Sequence, residues 1–558
     1  MKNNFELKLI AIISAIRLNY QNTKYMNKTY DYIIVGAGSA GCLLANRLSA
    51  DPNNNVLLLE AGGKDNNIWL HIPVGYFKTM NNPKFDWMYK LEKDKGVNNR
   101  RIDWPRGKVL GGSSALNGLL YIRGDKHDYD NWEHLGNKGW GFNDILPYFK
   151  KSECQENGKS KYHGVDGELK VSNLRLKRKI AEYFIKAAQE IGIPYNPDCN
   201  SEEQEGVGYF QQTSYKGFRK SSYRSFLTKK IRKRNNLTIT TDTQMSKLIF
   251  SGKKVIGVKC IQKGKETEIY ANCEVILSAG SIASPQILQL SGIGDAELLE
   301  KLGIDVIHNN PAVGKNLQDH LQVRLVYKTS TRTLNDELNT WWKKAMIGLQ
   351  FLFFRTGPLT LSASQVYAFT NTSLDGSRPN IQFHMQPLSA DKPGDGVHPF
   401  SAFTISVCNL RPESRGKVLI NSADPSQPPT IISNYLSTEG DQKIAIESIK
   451  VARKIAKASS LKKYILDEFV PGESYTSDEQ LLEVAKNNSQ SIYHPVGTCK
   501  MGHDDSSVVD DQLKVHGISG LRVVDASIMP ELISGNTNAP TMMIAEKAAD
   551  MILGEKLL

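Results

Sequence analysis

An apolar run that breaks into glycines, Tyr32-Ile33-Ile34-Val35-Gly36-Ala37-Gly38-Ser39-Ala40-Gly41, restricts what this chain can fold into more than any other stretch of it. Read as G-x-G-x-x-G, it runs into a helix-like segment at residues 42–48 and then a second apolar run, 56–59, that closes on Glu60. Strand, turn, helix and strand in that order make a βαβ unit, which belongs in a parallel sheet. Gly36 permits the tight turn, Gly38 lets backbone approach a pyrophosphate, and Gly41 lets the helix pack on its strand. Ser39 and Ala40 complete the loop and count among its cofactor-binding residues, and the N-terminus of the helix that follows offers N–H groups and partial positive charge suited to phosphate. Glu60, followed by Ala61, stands where an acid can accept both hydroxyls of an adenosine ribose and would repel a 2′-phosphate. FAD or NAD is therefore expected rather than NADP. The alternative is a turn that binds nothing, but strand, helix and acid all stand at the spacing a dinucleotide site requires.

With 558 residues the chain exceeds what one hydrophobic core usually serves, and 40% hydrophobic with 23% charged residues is an ordered, globular composition. Its net charge of +12 includes a dense run at Lys229, Lys230, Arg232, Lys233 and Arg234. No base-stacking aromatics interleave that run, so it reads as a solvated helix end and no nucleic-acid partner is expected. The seven cysteines form no C-x-x-C pair and have no histidine at ligand spacing, which argues against zinc or iron–sulfur sites and suits a reducing compartment. A cytoplasmic location is expected. The apolar run at residues 9–16 could pass for a signal-peptide core but is far too short to span a bilayer. Met26 stands just ahead of the first strand, so residues 1–28 read as an N-terminal extension. No stable membrane insertion is expected, and any membrane contact would be peripheral.

Further strand-like runs ending in small residues recur at 273–280 and 521–526, as if the chain leaves one parallel sheet and returns to it twice. Residues 321–490 differ, with alternating strand-like segments, proline breaks and an amphipathic stretch at 444–450. The expected fold is α/β: a Rossmann-like dinucleotide-binding domain built from discontinuous segments, plus an α+β substrate domain with a mostly antiparallel sheet. The expected limits are 29–320 for the first, with 150–225 able to join the second; 321–490 for the second; and 491–558 for the return.

A second glycine-rich segment contains Arg106-Gly107, then Gly111-Gly112-Ser113-Ser114 and Asn117-Gly118. It is expected to present several N–H groups and two hydroxyls on one concave surface, as a flat polar ring or a pyrophosphate requires. With the first loop it resembles the first signature of the glucose-methanol-choline (GMC) flavoprotein oxidoreductases, whose choline dehydrogenases are its nearest well-known relatives in appearance. Gly280-Ser281-Ile282-Ala283-Ser284-Pro285 and the residues after it are similar to the second signature, and Pro311-Ala312-Val313-Gly314-Lys315-Asn316-Leu317-Gln318-Asp319-His320 agrees in order and spacing. The resemblance runs from about Tyr30 to the C-terminus. It implies FAD, with Glu60 on the ribose, residues 111–118 beside the isoalloxazine and Asp525 on the ribityl chain. Ala279, Gly280, Ala526, Pro540 and Thr541 are further neighbours. Leu116 stands where members with a histidyl-linked flavin carry histidine, so non-covalent FAD is expected.

His494 lies in Tyr493-His494-Pro495-Val496-Gly497, which cannot be helix interior. Alone it could be a core histidine; by resemblance it is the family's active-site base, and a neutral imidazole suits removal of a hydroxyl proton. Counting back from Ala545-Glu546 places its polar partner at Asn536, or at Asn538 if the register slips. The N-terminus of the helix from Pro540 is suited to stabilising a reduced, anionic flavin. Gln365 falls where choline dehydrogenases carry glutamate and offers a quaternary ammonium no charge. The expected activity is oxidation of a neutral primary alcohol to an aldehyde by a dehydrogenase rather than an oxidase. Beside it stand choline dehydrogenation proper, a hydroxynitrile lyase, a fatty-acid photodecarboxylase and a non-enzymatic flavoprotein. The motifs leave the electron acceptor open between a quinone, an electron carrier and O2.

Overall fold

The structure, a computed structural model, describes residues 29–373, 378–391 and 396–554. The expected extension at 1–28 lies outside them. The chain opens with β1 (Thr29–Val35), α1 (Ser39–Leu48) and β2 (Val56–Leu59). After a series of short elements come β3 (Gly206–Tyr209), β4 (Leu237–Thr240), β5 (Thr243–Ser251), β6 (Lys254–Gln262), β7 (Lys265–Leu277) and α2 (Gly280–Leu290). There follow β8 (Leu321–Thr329), α3 (Trp341–Phe354), β9 (Val366–Thr370), β10 (Ile381–Gln386), β11 (Ala402–Asn409), α4 (Glu439–Lys457), β12 (Ile465–Val470) and β13 (Ser489–Ser491). The chain returns through β14 (Leu521–Val523) to α5 (Asn538–Leu553).

One sheet has the order β4-β2-β1-β7-β6-β5, with β14 also on β7. Strand β7 is long enough to do two jobs. Its first half pairs antiparallel with β6, and its second half runs parallel between β1 and β14. The strands that meet α1 and α5 are buried on both faces, which is why Ile33-Ile34-Val35 and Val56-Leu57-Leu58-Leu59 are unbroken apolar runs. Beneath them α5 is buried on nearly every side, and its Glu546, fully enclosed, is neutralised by Arg47 of α1 at 2.6 Å. An unpaired charge there would cost several kcal/mol, so this pair locks the C-terminal helix to the first one.

The other sheet, β12-β8-β11-β10-β9-β3 with β13 on β8, is wholly antiparallel and packs its own core against α4 and the helix Lys179–Glu190. Strand β3 comes from the 150–225 stretch, and so joins this sheet from outside 321–490. One expectation needs correction. The basic run near residue 230 is a single exposed turn, Ile231–Lys233, rather than a helix end. Its neighbour Arg234 donates to the Asn46 carbonyl at 2.6 Å, so the charge caps α1's last turn as well as facing water. All seven cysteines are free thiols, and among the described residues no helix is long and apolar enough to cross a membrane.

Candidate active site

A cavity of about 630 Å³ runs from the first glycine loop to the face of the antiparallel sheet. At one end the two glycine-rich loops touch backbone to backbone. Gly36 has φ +101°, and a Cβ on it would lie 2.5 Å from the Ser278 carbonyl oxygen. Gly112 has φ +52°, and its Cβ would lie 2.7 Å from the Gly38 Cα. Glu60 is buried at 5% exposure and accepts the Ala37 N–H at 3.0 Å and the Gly62 N–H at 2.8 Å. Burial pushes its carboxyl up to about 7, so added hydrogen-bond donors would favour the ionised form.

Of the residues expected to hold a cofactor, Gly36, Gly38, Ser39, Ala40, Glu60, Ala61, Arg106, Gly107, Gly112, Ser113, Asn117, Gly118, Ala279, Gly280, Asp525, Ala526 and Thr541 line this cavity. Three others stand behind the wall. Gly41 lets α1 approach β1, since its Cβ would sit 1.9 Å from the Gly36 carbonyl oxygen. Gly111 takes the left-handed φ of +98° that turns the second loop, and Pro540 is buried in the first turn of α5. Of the paired serines only Ser113 faces the cavity. The Ser114 hydroxyl is spent on the Gly111 carbonyl at 2.5 Å and the Ser222 N–H at 2.9 Å. Asp525 lines the cavity while its carboxylate also takes the Gly280 N–H at 2.8 Å and the Ser284 hydroxyl at 2.6 Å.

These residues fit a dinucleotide on one steric test. A Cβ on Gly38 would meet nothing of the protein closer than 3.9 Å, so the fold itself does not demand glycine there. Space left bare beside helix N-terminal N–H groups is what a pyrophosphate uses.

At the other end His494 is held by three segments distant in sequence. Its backbone N–H donates to Asp319 Oδ1 at 2.7 Å, and Asp319 also takes the hydroxyls of Ser491, at 2.5 Å, and of Tyr435. Tyr493, immediately before it, sits at φ +66°, a strained conformation for a bulky residue that the Asp319 anchor sustains. The imidazole Nε2 lies 3.0 Å from Asn536 Nδ2, and Nδ1 lies 3.0 Å from His320 Nδ1. His320 Nε2 in turn lies 3.0 Å from the Leu410 carbonyl oxygen.

One proton arrangement satisfies this chain. Leu410 can only accept, so His320 carries its proton on Nε2 and accepts at Nδ1. His494 then carries its proton on Nδ1, and its Nε2 lone pair, at the cavity wall, accepts from the Asn536 Nδ2–H. Burial, reinforced by His320, His384 and Arg106, holds the His494 imidazole well below the usual histidine range, so it is neutral at neutral pH. A substrate hydroxyl inserted between the two, in place of their direct hydrogen bond, can donate to His494 Nε2 and accept from Asn536 Nδ2.

The register falls on Asn536, and Gln365 is not where the sequence placed it. Asn538, the alternative, also lines the cavity but accepts the Ser39 hydroxyl at 2.8 Å and ties α5 to the first glycine loop. Gln365 does not line the cavity. Its amide accepts the Arg178 N–H at 3.1 Å and donates to the Leu176 carbonyl at 2.9 Å. At that bend Ala363 and Ser364 face inward instead, so the case against choline built on Gln365 falls.

Three residues that the sequence did not single out stand at this end of the cavity or against His494. Asp319 and His320 belonged to a matched motif without an assigned role. His384, on β10, lines the cavity, stacks on Phe210 at 5.4 Å and has a buried, unpartnered Nδ1. Burial drives it down to about 3. Its one signal was alternation: Gln382, His384 and Gln386 are polar in a strand whose other face is apolar core.

Comparison with known proteins agrees with this geometry. Two models described as GMC oxidoreductase match residues 30–322 and 412–545. An alcohol dehydrogenase (acceptor) from Pseudomonas putida is 44% identical over 94% of this chain and 96% of its own. An oxygen-dependent choline dehydrogenase from Photobacterium profundum is 42% identical over 95% and 94%. Among solved structures, pyridoxine 4-oxidase from Mesorbium loti superposes with a TM-score of 0.86 at 30% identity, over 94% of this chain and 100% of that one. Formate oxidase does so at 0.88 and 28%, over 95% and 98%.

Proposed function

The chain belongs to the GMC oxidoreductase family, FAD-dependent enzymes acting on CH–OH groups, and on that premise we propose that it oxidises a neutral primary alcohol to an aldehyde with His494 as base. The observation that carries the reading is the 3.0 Å pair of His494 Nε2 and Asn536 Nδ2 at the end of a cavity whose other end is built for a dinucleotide. Bound FAD supplies the two-electron acceptor for the carbinol hydride. His494 takes the hydroxyl proton at Nε2, while Asn536 Nδ2 donates to the oxygen as negative charge develops on it. His320, fixed by Leu410, keeps the His494 proton on Nδ1 and thereby keeps Nε2 an acceptor.

Substrate charge follows from the wall. Its carboxylates are Glu60 and Asp525, both, like Arg106, among the residues expected to hold the dinucleotide, whereas the other charged residues lining it, Lys108 and Arg324, are cations. The Trp87 ring, a natural ammonium partner, is already covered by Lys108 at 4.2 Å. A cationic alcohol therefore finds repulsion where a neutral one finds polar and apolar surface. The name of the 44% relative supports an acceptor other than O2. Leu116, buried in the cavity wall, supports non-covalent FAD.

Anaerobic mixing of holoprotein with a panel of primary alcohols and choline tests this. Neutral alcohols are expected to bleach the flavin absorbance; faster bleaching by choline would replace the neutral-alcohol reading with choline dehydrogenation. Acid precipitation is expected to release the flavin into the supernatant, and colour retained in the pellet would show a covalent link.

A further inference from the structure

Helix α3 presents an apolar surface that no other part of the described chain covers. Trp341 is 80% exposed, Phe353 70% and Phe354 71%, and Trp342, Met346, Leu349 and Leu352 are exposed as well. Only Ile347 and Phe351, one turn apart, are buried against the body. A helix apolar on nearly every side is normally interior. An exposed one of this size marks a contact surface. At 14 residues it reaches about 21 Å, too short to cross a bilayer.

Charge identifies what this surface fits. Residues 338–365 contain Lys343, Lys344 and Arg355 and no acidic residue at all. Beside the helix, Phe218 packs edge-on against Phe351 at 5.4 Å with the Arg355 guanidinium 4.7 Å above it. The strand pair Phe218–Arg219 and Ser214–Tyr215 brings up the exposed Tyr215, with Lys216 and Lys220 over its ring at 5.3 and 5.6 Å. Lys343 and Arg355 are held only by backbone carbonyls, those of Asp336 and Phe351, both at 3.0 Å, and aromatics mixed with cations that form no ion pair among the described residues suit an anionic interface, where rings enter the headgroup level and ammonium groups meet phosphate. A second copy on the same patch would set these cations against their own kind. The patch is also rooted beside the cavity: Leu334, Leu338 and Leu361, which flank α3, pack with Phe77 and Leu388, and both of those line the cavity.

We propose that α3 docks this protein onto an anionic lipid bilayer, lying in the headgroup plane with its aromatic residues in lipid and its cations on the phosphates, next to the substrate end of the cavity. The inference does not depend on which alcohol is oxidised.

Vesicle flotation of the holoprotein tests it without turnover. The protein is expected to float with phosphatidylcholine–phosphatidylglycerol vesicles, far less with phosphatidylcholine alone, and less as salt rises. Lys343→Gln/Lys344→Gln should lower the partition coefficient about 25-fold, from about fivefold for each charge removed. Phe353→Ser/Phe354→Ser should lower it at least about tenfold. Both pairs are surface changes, so FAD content serves as the control for folding. The proposal is overturned if the parent stays at the bottom with anionic vesicles, or if both variants float as well as the parent. It is also overturned if the parent is a dimer that Phe353→Ser/Phe354→Ser dissociates, with no vesicle binding by either, because a second copy then covers the helix.

Discussion

His494 and Asn536 carry predictions that separate chemistry from packing. His494→Ala is expected to keep FAD and slow anaerobic flavin reduction by roughly 10²-fold or more, the scale of a lost general base; reduction at the parent rate would remove His494 from the reaction. Asn536→Ala should slow reduction too. Asn538→Ala takes away the acceptor of the Ser39 hydroxyl and should weaken FAD retention, leaving the flavin-bound fraction reactive. The pH profile tests the same centre independently. His494 is held well below 6.5, so it is already deprotonated near neutrality, and the reduction rate should be level from about pH 7 to 9. A fall is expected only toward about 6, where the buried Asp319 carboxyl, pushed up to about 6, gains a proton and loosens its hold on the His494 N–H. An inflection at the ordinary histidine value that disappears in His494→Ala would show the imidazole to be solvated and the proposed proton arrangement wrong.

The βαβ element distinguishes glycines required by the ligand from glycines required by the fold. Gly41→Ala places a methyl 1.9 Å from the Gly36 carbonyl oxygen, and Gly112→Ala places one 2.7 Å from the Gly38 Cα at a left-handed φ. Both should disrupt the unit and lower soluble yield. Gly38→Ala meets no protein atom within 3.9 Å and should fold normally yet lose FAD affinity by tenfold or more, read as FAD released on dilution of the holoprotein. FAD retention equal to the parent in Gly38→Ala would mean that no pyrophosphate lies against that backbone.

In the molecule as a whole, the pH dependence of stability reports the buried histidines. Burial takes His320 down to about 4 and His384 to about 3. The native state therefore refuses protons that the unfolded chain accepts. The associated stability is fully present above about 6.5 and is lost as pH falls toward the folded values. Glu60 and Asp319, raised to about 7 and about 6, act with the opposite sign over their own range. The histidine contribution is isolated by comparing the parent with His384→Phe, which keeps a ring against Phe210. The variant should lose about 2 kcal/mol less between about pH 6.5 and 5, measured from denaturant midpoints. Equal losses would show that His384 protonates freely in the native state.

The sequence by itself determined whatever depends on near neighbours in the chain. Glycines at fixed offsets after a strand permit only certain turns, an acid at the end of the next strand lies beside the same crevice, and unbroken apolar runs must be buried on both faces. The βαβ unit was legible for that reason, and so was the non-helical course of the His494 loop, while the role expected of His494 came from the resemblance. What only the tertiary structure decided depends on contacts between remote segments. Asn536 rather than Asn538 meets His494 because, although both line the cavity, Asn536 lies in the loop before α5 against the imidazole while Asn538 opens the helix with its amide oxygen on Ser39. Gln365 turns away because the Arg178 N–H and the Leu176 carbonyl capture its amide. Asp319 and His320 acquire their roles only when β8 and the loop after β13 come side by side. The exposure of α3 was equally hidden; a sequence can show that a helix is apolar, but only the packing around it shows which side is left uncovered.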